Sequence, residues 1–235
     1  MNDVMIVILT LDRLPYTKRC LDALALTRSK FECVIVDNGS RQDTVDYLLT
    51  WDGMETEYGG KFRVVFNSEN LGIGAGMNVA LRQRRQEQHL MKLDNDVVVS
   101  SQKNPMWLYE MVELLESDIG ISHLGLCFFT SADMRLVKKA TCRRKTRWTC
   151  NLMRPENGLI LGAGVLFRND VVTRVGKFTE RRLYGNIDTD YSRRCLAYGQ
   201  GWYWMDVQAE HIDRGDLGED SSRLMRIKEE ARRQY

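Results

Sequence analysis

The front of the chain alternates strictly between two kinds of segment, and this alternation limits the fold more than any other feature. Continuous apolar runs rich in β-branched residues lie at Val4 to Leu9, Phe31 to Val36 and Phe62 to Phe66. A fourth, His89-Leu90-Met91-Lys92-Leu93, follows them. Runs without polar alternation suit strands buried on both faces, as in a parallel sheet. Helical patterns separate them. Pro15 opens one that carries Tyr16, Cys20, Leu21 and Leu24 on one side. Ser40 stands as N-cap of a second, with Val45, Leu48 and Leu49, and Asn70 to Asn78 leads into a third that runs to about Gln88. Such βαβ winding predicts an α/β fold, with a mostly parallel sheet covered by helices on both faces.

After this the rhythm changes. Asn104-Pro105 starts a helix carrying Trp107, Met111, Leu114 and Leu115. Gly120 to Phe129, Leu136 to Trp148 and Leu159 to Phe167 read as strands without long helices between them. Asn169 caps a short helix ending near Gly176, and Asp188 to Tyr198 forms another with Gly199 as its stop. Trp202 to Val207 is a last strand, and Glu219 to the end is a charged helix with a thin stripe of Leu224, Ile227 and Ala231. No repeat or linker interrupts the chain, so one domain over 1–235 is expected: a front half over 1–99, a mixed half over 100–218, and a C-terminal helix over 219–235.

Composition excludes several classes. With 43% hydrophobic and 28% charged residues the chain is ordinary for a globular protein, and a net charge of +2 gives no strong overall field. The apolar run from Val4 to Leu9 is too short for a signal peptide core, and no stretch is long enough to span a bilayer. The six cysteines are scattered without a Cys-x-x-Cys, so reduced thiols in a soluble, cytoplasmic protein are expected. His123, Cys127, Cys142 and Cys150 match no compact zinc spacing.

Chemistry gathers at the strand ends. Asp94-Asn95-Asp96 places two carboxylates around an amide where the fourth run stops. Ligands bind outside the carboxyl ends of strands in open α/β sheets. Two close carboxylates repel unless a cation sits beside them, and hard oxygen ligands suit Mg²⁺ or Mn²⁺ shared with substrate phosphates. Read as turn chemistry, the triplet is equally ordinary. Thr10 and Asp12 follow the first run and Asp37 the second, where a carboxylate can accept from a ribose hydroxyl or a base N–H. Taken alone, Asp37 reads more simply as an Asx-turn or cap. Gly72, Gly74 and Gly76 permit close backbone approach, but they do not match G-x-G-x-x-G and they follow the third run, which speaks against a nicotinamide cofactor.

The order of motifs carries a resemblance. Val7-Ile8-Leu9-Thr10, Val34-Ile35-Val36-Asp37-Asn38-Gly39-Ser40, Asn70-Leu71-Gly72-Ile73-Gly74 and Leu93-Asp94-Asn95-Asp96 are similar to the front half of family-2 glycosyltransferases of the GT-A fold. Gly162-Ala163-Gly164-Val165-Leu166-Phe167-Arg168 resembles the family's strand beside the acceptor pocket. Val175-Gly176-Lys177-Phe178 resembles its Val-Gly-Gly-Phe turn, and Asp188-Thr189-Asp190-Tyr191-Ser192-Arg193-Arg194 its Glu-Asp-x-Asp-Leu-x-x-Arg helix. The resemblance runs from Val4 to about His211.

It implies a metal-dependent, inverting hexosyl transfer from a nucleotide sugar, with UDP-glucose as a representative donor, to an acceptor hydroxyl. The front half would be Rossmann-like and bind the nucleotide sugar, and the mixed half would bind the acceptor. By position, Thr10, Asp12 and Asp37 would hold base and ribose, Asp94 would face the ribose, and Gly74, Asn78 and Asn95 would line the donor. Asp96 and His211 would ligate Mn²⁺ or Mg²⁺, Asp188 would be the general base, and Gly164 would lie at the acceptor. Ile187 stands where the family often has Glu, Lys177 replaces a glycine, and Asp12 stands where Asn is common.

From Met134 to Pro155 eight basic residues occur without an acidic one, and Trp148 is interleaved. A basic stretch with an aromatic suits a phosphate backbone. Arg143, Arg144, Lys145 and Trp148 are therefore expected at a polyanionic acceptor. The expected acceptor is hydroxymethylated DNA, as in compact phage glycosyltransferases, and an acidic glycan or an anionic membrane surface explains the run equally well. A polysaccharide, a lipid-linked glycan or a protein is the alternative acceptor. A solvated hairpin is the plain structural explanation. A nucleotidyltransferase would carry a Gly-rich basic loop after the first strand, and Thr10-Leu11-Asp12-Arg13 has no glycine. A non-catalytic nucleotide-sugar or nucleic-acid binding module is the remaining alternative, because Ile187 breaks a catalytic motif.

Overall fold

The four apolar runs form the strands that the winding requires. A computed structural model describes residues 3–128, 140–145, 150–155, 157–160, 162–180 and 185–212. Strands β1 (Val4–Thr10), β2 (Phe31–Asp37), β3 (Gly60–Phe66) and β4 (His89–Asp94) run parallel in the order β3-β2-β1-β4. Helices α1 (Leu14–Ala25), α2 (Gln42–Leu49) and α3 (Gly72–Leu81) make the crossovers. Parallel strands need such crossovers, and buried on both faces they keep their apolar runs continuous. The register sets Thr10 beside Asp37 and Leu9 beside Asp94, so the polar ends of three strands meet at one edge.

The sheet continues without a break into the second half. After β5 (Val97–Val99) and α4 (Trp107–Glu116) come β6 (Ile121–Phe128), β7 (Ala140–Lys145), β8 (Cys150–Pro155) and β9 (Gly164–Phe167). Helices α5 (Asn169–Val175) and α6 (Ile187–Cys195) precede the long β10 (Gln200–His211). The order after β4 is β9-β6-β10-β8-β7, with β9 antiparallel to both β4 and β6, and β10 parallel to β6. Val97 to Val99 pair antiparallel with the end of β10, which brings His211 opposite Val97.

Alternate residues of the strands serve two cores. Ile6, Ile8, Cys33 and Ile35 meet Leu21, Leu24, Leu48, Trp107 and Met111 on one face. Met5, Val7, Val34 and Val36 meet Met77, Val172, Phe178 and Tyr191 on the other. Helices thus cover both faces, as the winding pattern predicts.

Several local expectations need correction. Ser40 does not cap α2, whose N-cap is Arg41; its hydroxyl instead accepts from the Asp12 N–H at 2.7 Å. Helix α3 stops at Leu81 rather than near Gln88. Among the described residues between Met134 and Phe167 there are three strands, not two, because β8 pairs with both β7 and β10. Asn169 opens α5 without a side-chain capping bond. The expected helix over 219–235 lies outside the described residues.

His123, in β6, is fully buried between two serines, with Ser122 Oγ 2.8 Å from Nδ1 and Ser192 Oγ 2.8 Å from Nε2. Burial pushes its pKa down to about 3, from an ordinary value of 6.5. Below pH 6.5 the unfolded chain gains a proton that the folded chain refuses, so stability present above that pH is lost as pH falls. About 2 kcal/mol is expected to go between pH 7 and pH 5 from this residue. Asp94, described below, contributes the opposite slope. The reading is therefore the difference in urea stability between wild type and His123→Gln at the two pH values, and equal slopes refute it.

Candidate active site

Three strand ends and one helix start converge at the carboxyl edge of the sheet. Asp37 closes β2 and is 1% exposed. Its Oδ2 accepts from the Gly39 and Ser40 N–H groups at 3.2 and 3.1 Å, an Asx-turn. Its Oδ1 is buried without a hydrogen-bond partner. Burial raises its pKa, against the bonds from Ser40 and Gly39. A buried acceptor left unpaired costs free energy until a donor reaches it, and a base N–H is such a donor.

Asp12 and Arg13 follow β1 with φ values of 53° and 57°, two successive left-handed residues that are not glycine. Such strain persists only where the surroundings enforce it. Here Asp12 Oδ1 accepts from the Arg41 N–H at 2.7 Å, which ties the loop after β1 to the loop after β2. The same turn sends Arg13 inward, where its guanidinium lies 4.3 Å over the Tyr16 ring. Its Nη1 donates to Asp96 Oδ2 at 2.9 Å.

Asp96 is held from two sides. Arg13 takes Oδ2, and His211 Nε2, from the end of β10, stands 3.3 Å from Oδ1. Burial works to raise the Asp96 pKa, but His211 and Arg13 outweigh it and hold the carboxyl ionised. Two neighbouring ligands of an octahedral ion with bonds of about 2.1 Å stand about 3 Å apart. The Asp96 Oδ1 to His211 Nε2 separation of 3.3 Å fits that spacing. Among the described residues no third His, Cys, Asp or Glu joins them. A divalent ion shared with a diphosphate needs only one or two such protein ligands.

A second cluster stands beside the first. Lys92, two residues before Asp94 in β4, is 4% exposed. Its ammonium donates to Asp94 Oδ1 at 2.5 Å and to the Gly162 carbonyl at 2.7 Å, and lies 3.3 Å from Asp188 Oδ1. Burial would lower the Lys92 pKa, but Asp188 and Asp94 outweigh it and raise it. Burial raises the Asp94 pKa, helped by Asp188 and Asp96 and opposed by Lys92. Asp188 sits in the first turn of α6, after Asn186 in the left-handed region at φ 55°. It packs so closely on Gly162 that a Cβ there would stand 2.2 Å from Asp188 Cγ.

Asp37, Asp94, Asp96, His211 and Asp188 therefore meet in these two clusters or at the same sheet edge. Other expected side chains turn inward. Asn95 Nδ2 donates to Thr10 Oγ1 at 3.2 Å and Thr17 Oγ1 at 3.0 Å, so Thr10 and Asn95 brace the loop rather than face a donor. Asn78 bonds both backbone groups of Phe178 and pins α3 to the turn after α5. Gly74 lets that turn approach, since a Cβ would lie 2.0 Å from the Thr179 carbonyl oxygen. Gly164 makes room for Leu126, 2.8 Å from where its Cβ would be. Arg143, Arg144 and Lys145 belong to β7, the edge strand at the far end of the sheet from β3. Trp148 lies outside the described residues. Ile187, in the place of an acidic residue, is buried in the second core.

The sequence reading missed Arg13, Lys92 and Gly162. Lys92 carried one signal, a charge in the middle of an apolar strand, where burial demands partners.

The family model "Glycosyl transferase family 2" matches residues 5–160. The chain belongs to glycosyl transferase family 2. Its fold is the GT-A fold of these glycosyltransferases. Among solved structures, the mannosyltransferase PcManGT from Pyrobaculum calidifontis, in complex with GDP-Man and Mn²⁺, aligns at a TM-score of 0.71 and 18% identity over 95% of this chain. TarS 1-349 of S. aureus in complex with UDP aligns at 0.65 and 16% over 97%. GalNAc-T7 with UDP, GalNAc and Mn²⁺ aligns at 0.67 and 12% over 97%. This chain spans 60%, 64% and 48% of those three chains. No curated protein sequence matches it. Among the described residues no helix is long and apolar enough to cross a membrane.

Proposed function

We propose that this family member is a metal-dependent, inverting glycosyltransferase that moves a hexose from a uridine diphosphate sugar, UDP-glucose as the first candidate, to an acceptor hydroxyl. The observation that carries the reading is the Asp96–His211 pair, spaced for one divalent ion, at the sheet edge where Asp37 has a buried oxygen without a partner. Relatives of the same fold were solved with GDP-Man and Mn²⁺ and with UDP, GalNAc and Mn²⁺, which supports a nucleotide sugar and a divalent ion without choosing the base.

In this reading Asp37 accepts a base N–H and Asp94 a ribose hydroxyl. Asp96 and His211 hold Mn²⁺ or Mg²⁺, which supplies Lewis acidity for the departing diphosphate. Arg13 fixes the Asp96 carboxylate. Asp188 accepts the proton of the acceptor hydroxyl as that oxygen attacks the anomeric carbon. Attack opposite the leaving diphosphate inverts the anomeric centre. The reading is supported by the packing of Asp188, in the first turn of α6, against Gly162, just before the strand that the family resemblance puts next to the acceptor.

The acceptor we propose is a hydroxymethylated base in DNA, on the strength of the acid-free basic stretch that includes edge strand β7. The cytoplasmic, soluble setting expected from the sequence belongs to the same proposal, as does the single-domain organisation. The test is a thermal-shift screen of nucleotide sugars with Mn²⁺. A ligand at about 100 times its Kd stabilises by roughly 2.7 kcal/mol. With the donor found, transfer is assayed on duplex DNA with hydroxymethylated bases beside an acidic glycan. No stabilisation by any nucleotide sugar defeats the donor reading, and transfer to the glycan alone defeats the DNA acceptor.

A further inference from the structure

Lys92 is the one charged residue inside the apolar run of β4, set in register between Val7 and Val165. Burying an ammonium in such a place is costly unless every N–H finds an acceptor. It has two acceptors, Asp94 Oδ1 at 2.5 Å and the Gly162 carbonyl at 2.7 Å, and an ion-pair partner in Asp188 Oδ1 at 3.3 Å. These three belong to different parts of the site. Asp94 ends a strand of the nucleotide-binding half, Gly162 precedes β9, and Asp188 begins α6. The two carboxylates would repel across this gap without a cation between them. Ile187, just before Asp188, is apolar and buried in the core. What faces Asp188 here is a lysine from the strand.

We propose that Lys92 is a positioning residue that clamps the Asp188 carboxylate against Gly162 and joins it to the donor-side carboxylate Asp94. The inference rests on the function proposed above, in which Asp188 is the base. Lys92 touches neither donor nor acceptor in this scheme; it acts through Asp188. The carboxylate has little freedom on its other side, because Gly162 lies against it with no room for a side chain. Lys92 thus sets where the base points. A base displaced by about 1 Å loses on the order of 10²-fold in rate, so the clamp has a kinetic signature.

The test uses Lys92→Met, of similar length and without charge, together with Asp188→Asn and the double variant. Turnover is read as diphosphate nucleotide released from UDP-glucose or GDP-mannose with Mn²⁺, with water as acceptor, and donor affinity is read by calorimetry. Lys92→Met is expected to lower kcat by roughly 10–10²-fold with donor Kd within about threefold of wild type. In the Asp188→Asn background the same change is expected to cost almost nothing further, since residues acting as a unit are not additive. A lysine serving only to stabilise the fold would cost the same in both backgrounds. A crystal structure of Lys92→Met is expected to show the Asp188 carboxylate moved away from Gly162, and this arm decides alone if wild type cleaves neither donor. Lys92→Gln takes the place of Lys92→Met if the latter does not fold. Additive kinetics, or an unmoved Asp188, overturns the proposal. If Asp188→Asn turns over normally, the proposed function loses its base; if Asp188→Asn is inactive and Lys92→Met is active, only this inference fails.

Discussion

Asp188→Asn is expected to cut sugar transfer by roughly 10²–10⁴-fold while donor binding stays nearly intact, since that range is the usual worth of a positioned base. Asparagine keeps the size of the side chain and its place in the first turn of α6, and it lacks the ability to take a proton and the charge that faces Lys92. The packing against Gly162 also survives, because the Cγ position is shared. Single-turnover transfer beside calorimetric donor titration separates the two quantities. Loss of affinity with unchanged turnover would move Asp188 from chemistry to binding.

Asp96→Ala is expected to abolish metal-dependent nucleotide binding, and chelator is expected to abolish transfer, with Mn²⁺ or Mg²⁺ restoring it. The substitution removes one member of the pair spaced 3.3 Å apart, and it also leaves Arg13 without its carboxylate in a nearly closed setting. Breaking a buried pair from one side costs about 3–5 kcal/mol, so stability is expected to fall along with metal affinity. Metal titration of folded protein, followed by calorimetry at constant temperature, distinguishes the two. His211→Ala provides the cleaner comparison, because His211 is the more exposed partner. Full transfer in excess chelator would remove the metal from the mechanism.

Much of this architecture was legible in the chain, and the reason is periodicity. Val4 to Leu9 and Phe31 to Val36 are apolar without alternation, which only a strand covered on both faces tolerates, and both lie inside the parallel set. The strand ends were legible because a carboxylate cannot continue such a run. The second half resisted. Strand β8 includes Arg154 and Pro155 and is followed by Asn157 and Gly158, a composition that reads as loop; its pairing with β10 overrides that propensity. Strand β10 reaches His211 although Asp206 and Glu210 break its apolar pattern.

Position by resemblance pointed to Asp37, Asp96, His211 and Asp188, which the structure brings to one sheet edge, but not to what each side chain touches. Asn78 looked like a donor contact, yet its amide is matched to both backbone groups of Phe178, far along the chain. Lys92 hid for the opposite reason. A strand pattern tells which face a residue takes, but the partners of Lys92 come from Gly162 and Asp188, which only the folded sheet brings near.

The junction of β4 with β9 has a consequence for how the chain is made. Leu90 to Leu93 pair with Gly164 to Phe167, so one side of β4 waits for a segment synthesised much later. Until then the parallel unit β3-β2-β1-β4 presents an open row of backbone N–H and C=O groups, flanked by apolar residues. Such a row is a template for pairing with any other extended chain. The nascent protein is thus most vulnerable to aggregation between the synthesis of β4 and that of β9, the strand that seals it.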